Sequence, residues 1–509
     1  MADDRKHRLV SNSALNFAGQ SVVLAITIAS SPYIVRKLGA EQFGIIAMVQ
    51  AVAGFAGLLN LGLGRALTKY ISELYWQEKF EEINRIFQTA WTVCFVIGSL
   101  SFIAISVPHD LSARLLFGSD PTARPFATFA VLVAAGGLFT SLVLESLGGI
   151  PSAVQHFRIQ NVISVSSFVL KIGSTILVLH LGFSVRAVLA VNLLFNVLTI
   201  IAYAAIARRY LPTLRFRFLL DPPSLHKLFS FSIPLLISTV STLIVTRLDR
   251  FIMVDYLPLA AVTFYTLPNS LAEKLTFGVG SVASAVFPFA SELHSQGNRH
   301  AVQELYLKGS RMVNIATLPL LALLTVVPYQ ILSCWLGKEY ADSGAQVLAL
   351  LGFASYLNAI TAVPTVVTLG TGNAWLPAYY ALAGSVANIA LNLTLIPRFG
   401  IIGAAMAILG SQIVSAPTFL VHTARRLNVS IVGLVKGAFL GPILCAGTMA
   451  VALYVCRDSL SSTRNLIVVV ALLLLFYAVV VLFFLFTQSE RSALLAKVRQ
   501  AVPVFGSVR

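Results

Sequence analysis

Charge is scarce in this chain: Asp, Glu, Lys and Arg make up only 11% of its 509 residues, against about a quarter in soluble proteins. With 57% apolar residues and a mean hydropathy of +0.84, a water-soluble globular protein is excluded and a polytopic membrane protein is expected. Carboxylates are scarcest, 20 Asp and Glu against 36 Lys and Arg, a formal charge of +16. The excess does not point to nucleic acid, because most of the basic residues fall in connectors on one side of the expected spans. The positive-inside bias then places both termini in the cytoplasm, and a multi-pass protein of the cytoplasmic (inner) membrane is expected. Four cysteines, Cys94, Cys334, Cys445 and Cys456, are scattered without CxxC spacing and read as small apolar filler, not as metal or redox ligands. Walker A, HExxH, DxD and GxSxG patterns do not occur in a credible context and every connector is short. Neither ATP hydrolysis nor hydrolytic chemistry is supported, and no metal, cofactor or enzymatic step is expected.

What the chain has is apolar runs of membrane-spanning length. Bounded by charge, Pro and Gly, they predict an all-α protein with about 14 transmembrane helices. Six lie at 11–34, 42–66, 84–107, 125–149, 159–181 and 185–207; six more at 228–253, 259–290, 308–334, 344–369, 374–396 and 401–424; two last at 436–456 and 465–487. The first run is too long for a signal peptide and reads as a retained span. Two amphipathic stretches, Tyr70–Gln88 and Glu292–Arg311, suit either helices lying at the interface or solvated linkers.

An internal repeat organises these spans. Gly182 begins GFSVRAVLAV and leads to Arg208-Arg209; Gly400 begins GIIGAAMAIL and leads to Arg425-Arg426. Repetition after an even number of spans keeps orientation, so two pseudo-symmetric six-helix lobes are expected, related by an axis along the membrane normal. The expected boundaries are 1–210 for the first lobe, 211–227 for a basic cytoplasmic linker, 228–427 for the second lobe, and 428–509 for the two extra spans and tail.

The polar residues inside spans carry the functional argument. Gln160, Ser164, Ser167, Lys171 and Ser174 fall within one arc of about 80° on a helix. Lys171 sits about 20 Å along its span, near the bilayer midplane, where an ammonium costs about 2.5–3.5 kcal/mol and must face water, a partner or a substrate. The span at 259–290 places Lys274 at similar depth, with Glu273 adjoining it. Span 1 has a stripe containing Asn16 and Gln20, and span 6 has Asn192, Asn196, Thr199 and Tyr203. Such stripes are interhelical glue or the wall of a wet cavity, and their number, two with cations, favours the cavity. Arg247 and Arg250 share a face near the outer end of span 7, with Asp249 to one side, and read as a cationic outer vestibule or an interfacial anchor. Arg65 and Lys69, at i, i+4 on the inner end of span 2, read as an inner counterpart or, in slight preference, as interface anchors. Glu145, Asp249 and Glu273 are the carboxylates placed for ion coupling or ion pairs.

Tyr33–Glu73 contains an LG-x-x-x-(Y/F)-G turn, here Leu38-Gly39 through Phe43-Gly44, followed by Asn60-Leu61-Gly62-Leu63 and a basic residue before the connector. This stretch resembles the N-terminal signature of Wzx-type polysaccharide-export flippases, and Phe231–Asp255 resembles their span 7. Asn60 stands where that motif commonly has Asp. The resemblance implies the two-lobed fold shared with multidrug antiporters and lipid II flippases of the same superfamily, its two six-helix lobes, spans 1–6 and 7–12, facing each other around a central cavity. It also implies a polyprenyl-diphosphate-linked oligosaccharide as cargo, moved to the outer leaflet by alternating access among membrane lipids, with a polysaccharide polymerase or assembly proteins as possible partners. The cations fit an anionic cargo. A multidrug or small-cation antiporter and a lipid II flippase remain alternatives; span 1 lacks the acidic residue of many antiporters and the internal arginines of lipid II flippases. A membrane glycosyltransferase or polymerase would need a large outer loop.

Overall fold

The computed structural model describes residues 2–491 except positions 61, 76, 119, 121, 122, 155, 374, 461, 487, 489 and 490, and gives no side-chain placement for residues 2–17, 65, 157 and 230–238. Among the described residues there are helices and no strands. The main helices are α1 (Ala2–Gly54), α2 (Leu63–Tyr75), α3 (Phe80–Ser106), α4 (Ala127–Gly148), α5 (Phe157–His180), α6 (Val185–Tyr210), α7 (Pro222–Tyr256) and α8 (Leu259–Ala272). They continue with α9 (Val279–Ser295), α10 (Arg299–Val326), α11 (Lys338–Ile360), α12 (Ala362–Gly370), α13 (Trp375–Arg426), α14 (Gly441–Cys456) and α15 (Thr463–Phe484). Ten segments of the described residues are long and apolar enough to cross a membrane, which makes this a multi-pass membrane protein.

Two of those segments each hold two of the expected spans. Inside α1, Gly39 takes φ 77° and ψ 169°, a backbone position open to glycine and strained for other residues, so one span passes into the next through a kink and not a loop. Gly400, at φ 59° and ψ −135°, does the same inside α13. The expected span 42–66 is itself broken: α1 ends at Gly54, a single turn covers Ala56–Leu59, and α2 begins at Leu63. Asn60 makes that break, its Oδ1 accepting from the Gly62 N–H at 2.7 Å, an Asx turn that competes with the helix ladder.

By mutual contact the chain falls into two units, residues 1–266 with 385–404, and residues 267–384 with 405–509. In the first, α4 packs on α1, α3 and α6, and α5 packs on α1 and α6. At the end of this unit near the α2–α3 turn, a core forms from Leu67 and Ile71 of α2, Ile83 and Phe87 of α3, and Leu147 and Ile150. In the second unit, α10 packs on α9, α11 and α14, with α15 against α14. Three of its buried tyrosines are paired across helices. Tyr356 Oη donates to Asn314 Oδ1 at 2.7 Å, Tyr306 Oη to the Leu420 carbonyl at 3.2 Å, and Tyr477 Oη to that of Ile315 at 3.0 Å. In an apolar solvent each such group needs a partner within the protein.

Neither amphipathic stretch forms a single helix of its own. Tyr70–Gln88 is the end of α2, a turn with Glu78 at φ 57°, and the start of α3; Glu292–Arg311 is the end of α9, a turn, and the start of α10. The basic linker is also more ordered than its composition suggested. It runs extended along α3, where Asn84 Nδ2 donates to the Thr213 carbonyl at 2.9 Å and Asn84 Oδ1 accepts from the Arg215 N–H at 2.8 Å. Farther along, Gln88 Nε2 donates to the Arg215 carbonyl at 2.9 Å, Thr92 Oγ1 accepts from Leu219 N–H at 3.0 Å, and Thr89 Oγ1 accepts from Asp221 N–H at 3.2 Å. Alternation along an extended chain turns Phe216 onto Phe87 and Trp91, and Phe218 onto Phe95, while Arg215 and Arg217 stay exposed.

Candidate functional site

A cavity of about 850 Å³ opens within the first unit. The last turn of α1 contributes Gly54, α2 Gly64 and Thr68, α4 Ser141 and Glu145, and the segment after α4 Gly149 and Ser152. From α5 come Gln160, Ser164, Ser167 and Lys171; from α6 come Asn196, Thr199 and Tyr203. The stripes of spans 5 and 6 therefore line one space. The close approach of α2 to the end of α4 depends on missing side chains. A Cβ on Gly64 would stand 2.9 Å from Glu145 Oε2 and 3.1 Å from the Glu145 carbonyl, and one on Gly149 would overlap Thr68 Oγ1.

Hydrogen bonds fix much of the wall. Ser164 Oγ and Tyr203 Oη lie 2.9 Å apart, Tyr203 Oη also reaches the Gln160 carbonyl at 3.4 Å, and Asn196 Nδ2 donates to Thr140 Oγ1 at 3.4 Å. Lys171 is different. Its Nζ lies 5.7 Å from the Phe168 ring centroid, and among the described residues its ammonium has no hydrogen-bond or ion-pair partner. It is a half-buried cation in an apolar helix, near an aromatic face and on the wall of a cavity lined by serine, threonine, asparagine and tyrosine side chains.

The other expected residues are dispersed. Arg247 does not line the cavity but lies beside it, its Nε 3.3 Å from the point where a Cβ on Gly54, a lining residue, would stand. Asp249 and Arg250 are buried; the Asp249 carboxylate accepts from Tyr265 Oη and, at 2.8 Å, from the Arg250 N–H. Gln20 is exposed on α1 and does not line the cavity. The side chains of Asn16 and Arg65 lie outside the described residues. Lys274 belongs to the second unit, on the single 3₁₀ turn Glu273–Thr276 between α8 and α9. Glu273 beside it is exposed and accepts from Asn269 Nδ2 at 3.0 Å. Sequence reasoning missed Thr68, Ser141, Ser152 and the glycines that let α2 approach; the clustering of Gly54, Gly57 and Gly64 opposite Gly148-Gly149 was the available signal.

With this geometry in view, residues 34–345 match the family described as polysaccharide biosynthesis protein. The chain is 22% identical over 403 residues to a Shigella flexneri protein provisionally named an O-antigen transporter, covering 78% of this chain and 94% of that one. Among solved structures it is similar to an inward-facing multidrug-resistance transporter of the MATE family (TM-score 0.71, 16% identity, 82% of this chain and 99% of that one). It is also similar to the lipid II flippase MurJ in an inward closed conformation (TM-score 0.67, 15% identity, 93% of this chain and 100% of that one). These likenesses establish a shared fold.

Proposed function

This chain belongs to the polysaccharide biosynthesis protein family, and from that premise we propose that it is a flippase, carrying an oligosaccharide on polyprenyl diphosphate from the cytoplasmic to the outer leaflet by alternating access. One observation carries the reading: Lys171 stands at the wall of a polar cavity, in an apolar helix, without an anionic partner among the described residues. A lysine so placed costs about 2.5–3.5 kcal/mol to insert, and a charge-assisted contact to a diphosphate, about 1.5–3 kcal/mol, offsets most of that cost only while cargo is bound. Serine, asparagine and tyrosine groups beside it suit sugar hydroxyls. Glu145, on the same cavity, is the carboxylate proposed for coupling transport to a proton or ion. Lys274 and Arg247 are proposed as further cationic contacts.

The proposal includes two lobes, 1–210 and 228–427, joined by 211–227 and followed by 428–509, with both termini cytoplasmic in the inner membrane. A polymerase or assembly protein would take over the delivered cargo. A lysine-lined cavity disfavours the antiporter alternative, because it repels cationic drugs. The test is export of the lipid-linked sugar by Lys171→Gln at equal membrane abundance. A loss of at least tenfold, restored in part by Lys171→Arg, is expected; full export by Lys171→Gln sinks the reading.

A further inference from the structure

A second cavity, of about 640 Å³, lies wholly within the second unit, at the end of α13 that carries the basic residues. Thr418, Val421, His422 and Arg425 recur on one face of the helix at spacings of three and four, and Arg426 joins them on the rim. Tyr380, from the first part of α13, closes the opposite wall. Its position is fixed by two contacts, a 3.1 Å hydrogen bond between Tyr380 Oη and His422 Nδ1 and ring packing on Phe419 at 5.2 Å. The lining contains no carboxylate, and neither guanidinium has a hydrogen-bond or ion-pair partner among the described residues. The equivalent pair in the other repeat differs, since Arg208 lies over the Phe216 ring at 5.1 Å.

We infer that this cavity binds the phosphodiester headgroup of an anionic phospholipid in the cytoplasmic leaflet, with Arg425 and Arg426 on the phosphate and Tyr380 and Thr418 on the polar headgroup. Two guanidinium forks match a phosphate's oxygens, and anionic lipid concentrates at a basic cytoplasmic face. An apolar surface continues from the cavity on the side away from the arginines, where Val414, one turn before Thr418 on the same helix face, is 64% exposed. Acyl chains would cover it, which a soluble phosphate cannot do. The lipid site is separate from the proposed cargo cavity, so it stands or falls without reference to transport.

The probe is phosphatidylglycerol added to delipidated full-length protein and counted by native mass spectrometry, with phosphatidylcholine and glycerol 1-phosphate as separate arms. We expect phosphatidylglycerol to be retained at least tenfold more tightly than phosphatidylcholine and to resist displacement by glycerol 1-phosphate. Arg425→Gln with Arg426→Gln should abolish that preference, whereas Arg208→Gln with Arg209→Gln should keep it. Thr418→Trp, which fills the cavity and leaves both arginines in place, gives an independent loss should the double variant fail to fold. Equal retention of the two lipids, displacement by glycerol 1-phosphate, or an unchanged preference in Thr418→Trp overturns the assignment.

Discussion

Ser164 Oγ and Tyr203 Oη lie 2.9 Å apart, so the polar stripes of α5 and α6 form one hydrogen-bonded wall, although 39 residues separate the two side chains. Interhelical hydrogen bonds of this kind contribute about 0.6 kcal/mol on average within a membrane. Tyr203 is also buried. Tyr203→Phe should therefore lower stability by about 0.5–1 kcal/mol, and Tyr203→Ala by about 3–5 kcal/mol through the cavity it leaves. Denaturation in a mild detergent orders the two; equal effects would show that packing contributes nothing at this site.

The contact between α2 and the segment after α4 can be tested by a double-mutant cycle. Gly149→Ala drives a methyl into Thr68 Oγ1 and should cost about 1–3 kcal/mol. Thr68→Ala removes that atom, leaving the nearest remaining fixed contact, the Gly64 carbonyl, at 3.3 Å. The double variant should recover most of the loss, an interaction energy of about 1 kcal/mol or more. Simple additivity would mean that the clash lies elsewhere. Gly64→Ala has no such remedy, because the Glu145 carbonyl at 3.1 Å belongs to backbone.

Amide exchange reads out the linker on α3. Arg215, Leu219 and Asp221 donate their N–H groups to Asn84, Thr92 and Thr89, so their amides should exchange slowly although the segment is neither helix nor sheet. Asn84→Ala should accelerate exchange at Arg215 about tenfold or more, the equivalent of one hydrogen bond at about 1.4 kcal/mol. Leu219 should respond less. Uniformly fast exchange in the unaltered protein would contradict the docked linker.

Asp221 caps the start of α7, accepting from both the hydroxyl and the N–H of Ser224. The Ser224 hydroxyl, then its N–H, hold the carboxyl below the usual carboxylate range; desolvation opposes them, and the charge of Arg85 adds the smallest lowering effect. A carboxyl lowered on folding stabilises the helix start fully above its unfolded value near 4, and the contribution is lost as pH falls through the lowered folded value. Opening of this helix end, followed at the Ser224 amide, should increase below about pH 4. Asp221→Asn should remove that pH dependence while keeping a cap.

Much of the architecture is written locally. A segment in hydrocarbon must satisfy its backbone within itself, so apolar length alone marked the helices, and the period of their polar residues marked which face of α5 and α6 is wet. The expected depth of Lys171 rests on counting residues, and the expected repeat on comparing two connectors. Other features depend on which side chains meet across long separations. Packing of α2, α4, α5 and α6 joins Lys171, Glu145 and Asn196 in one cavity and sends Lys274 to the other unit. Packing of α7 on α8 supplies Asp249 with Tyr265, and the polar side chains of α3 give the linker a track that composition did not suggest. The helix junctions fall between these cases: Gly39 and Gly400 were visible as glycines, but a positive φ that carries one span into the next through a kink is set by the packing of both flanking helices. Hydropathy is a property of each segment, whereas a site is a property of the faces that packing brings together.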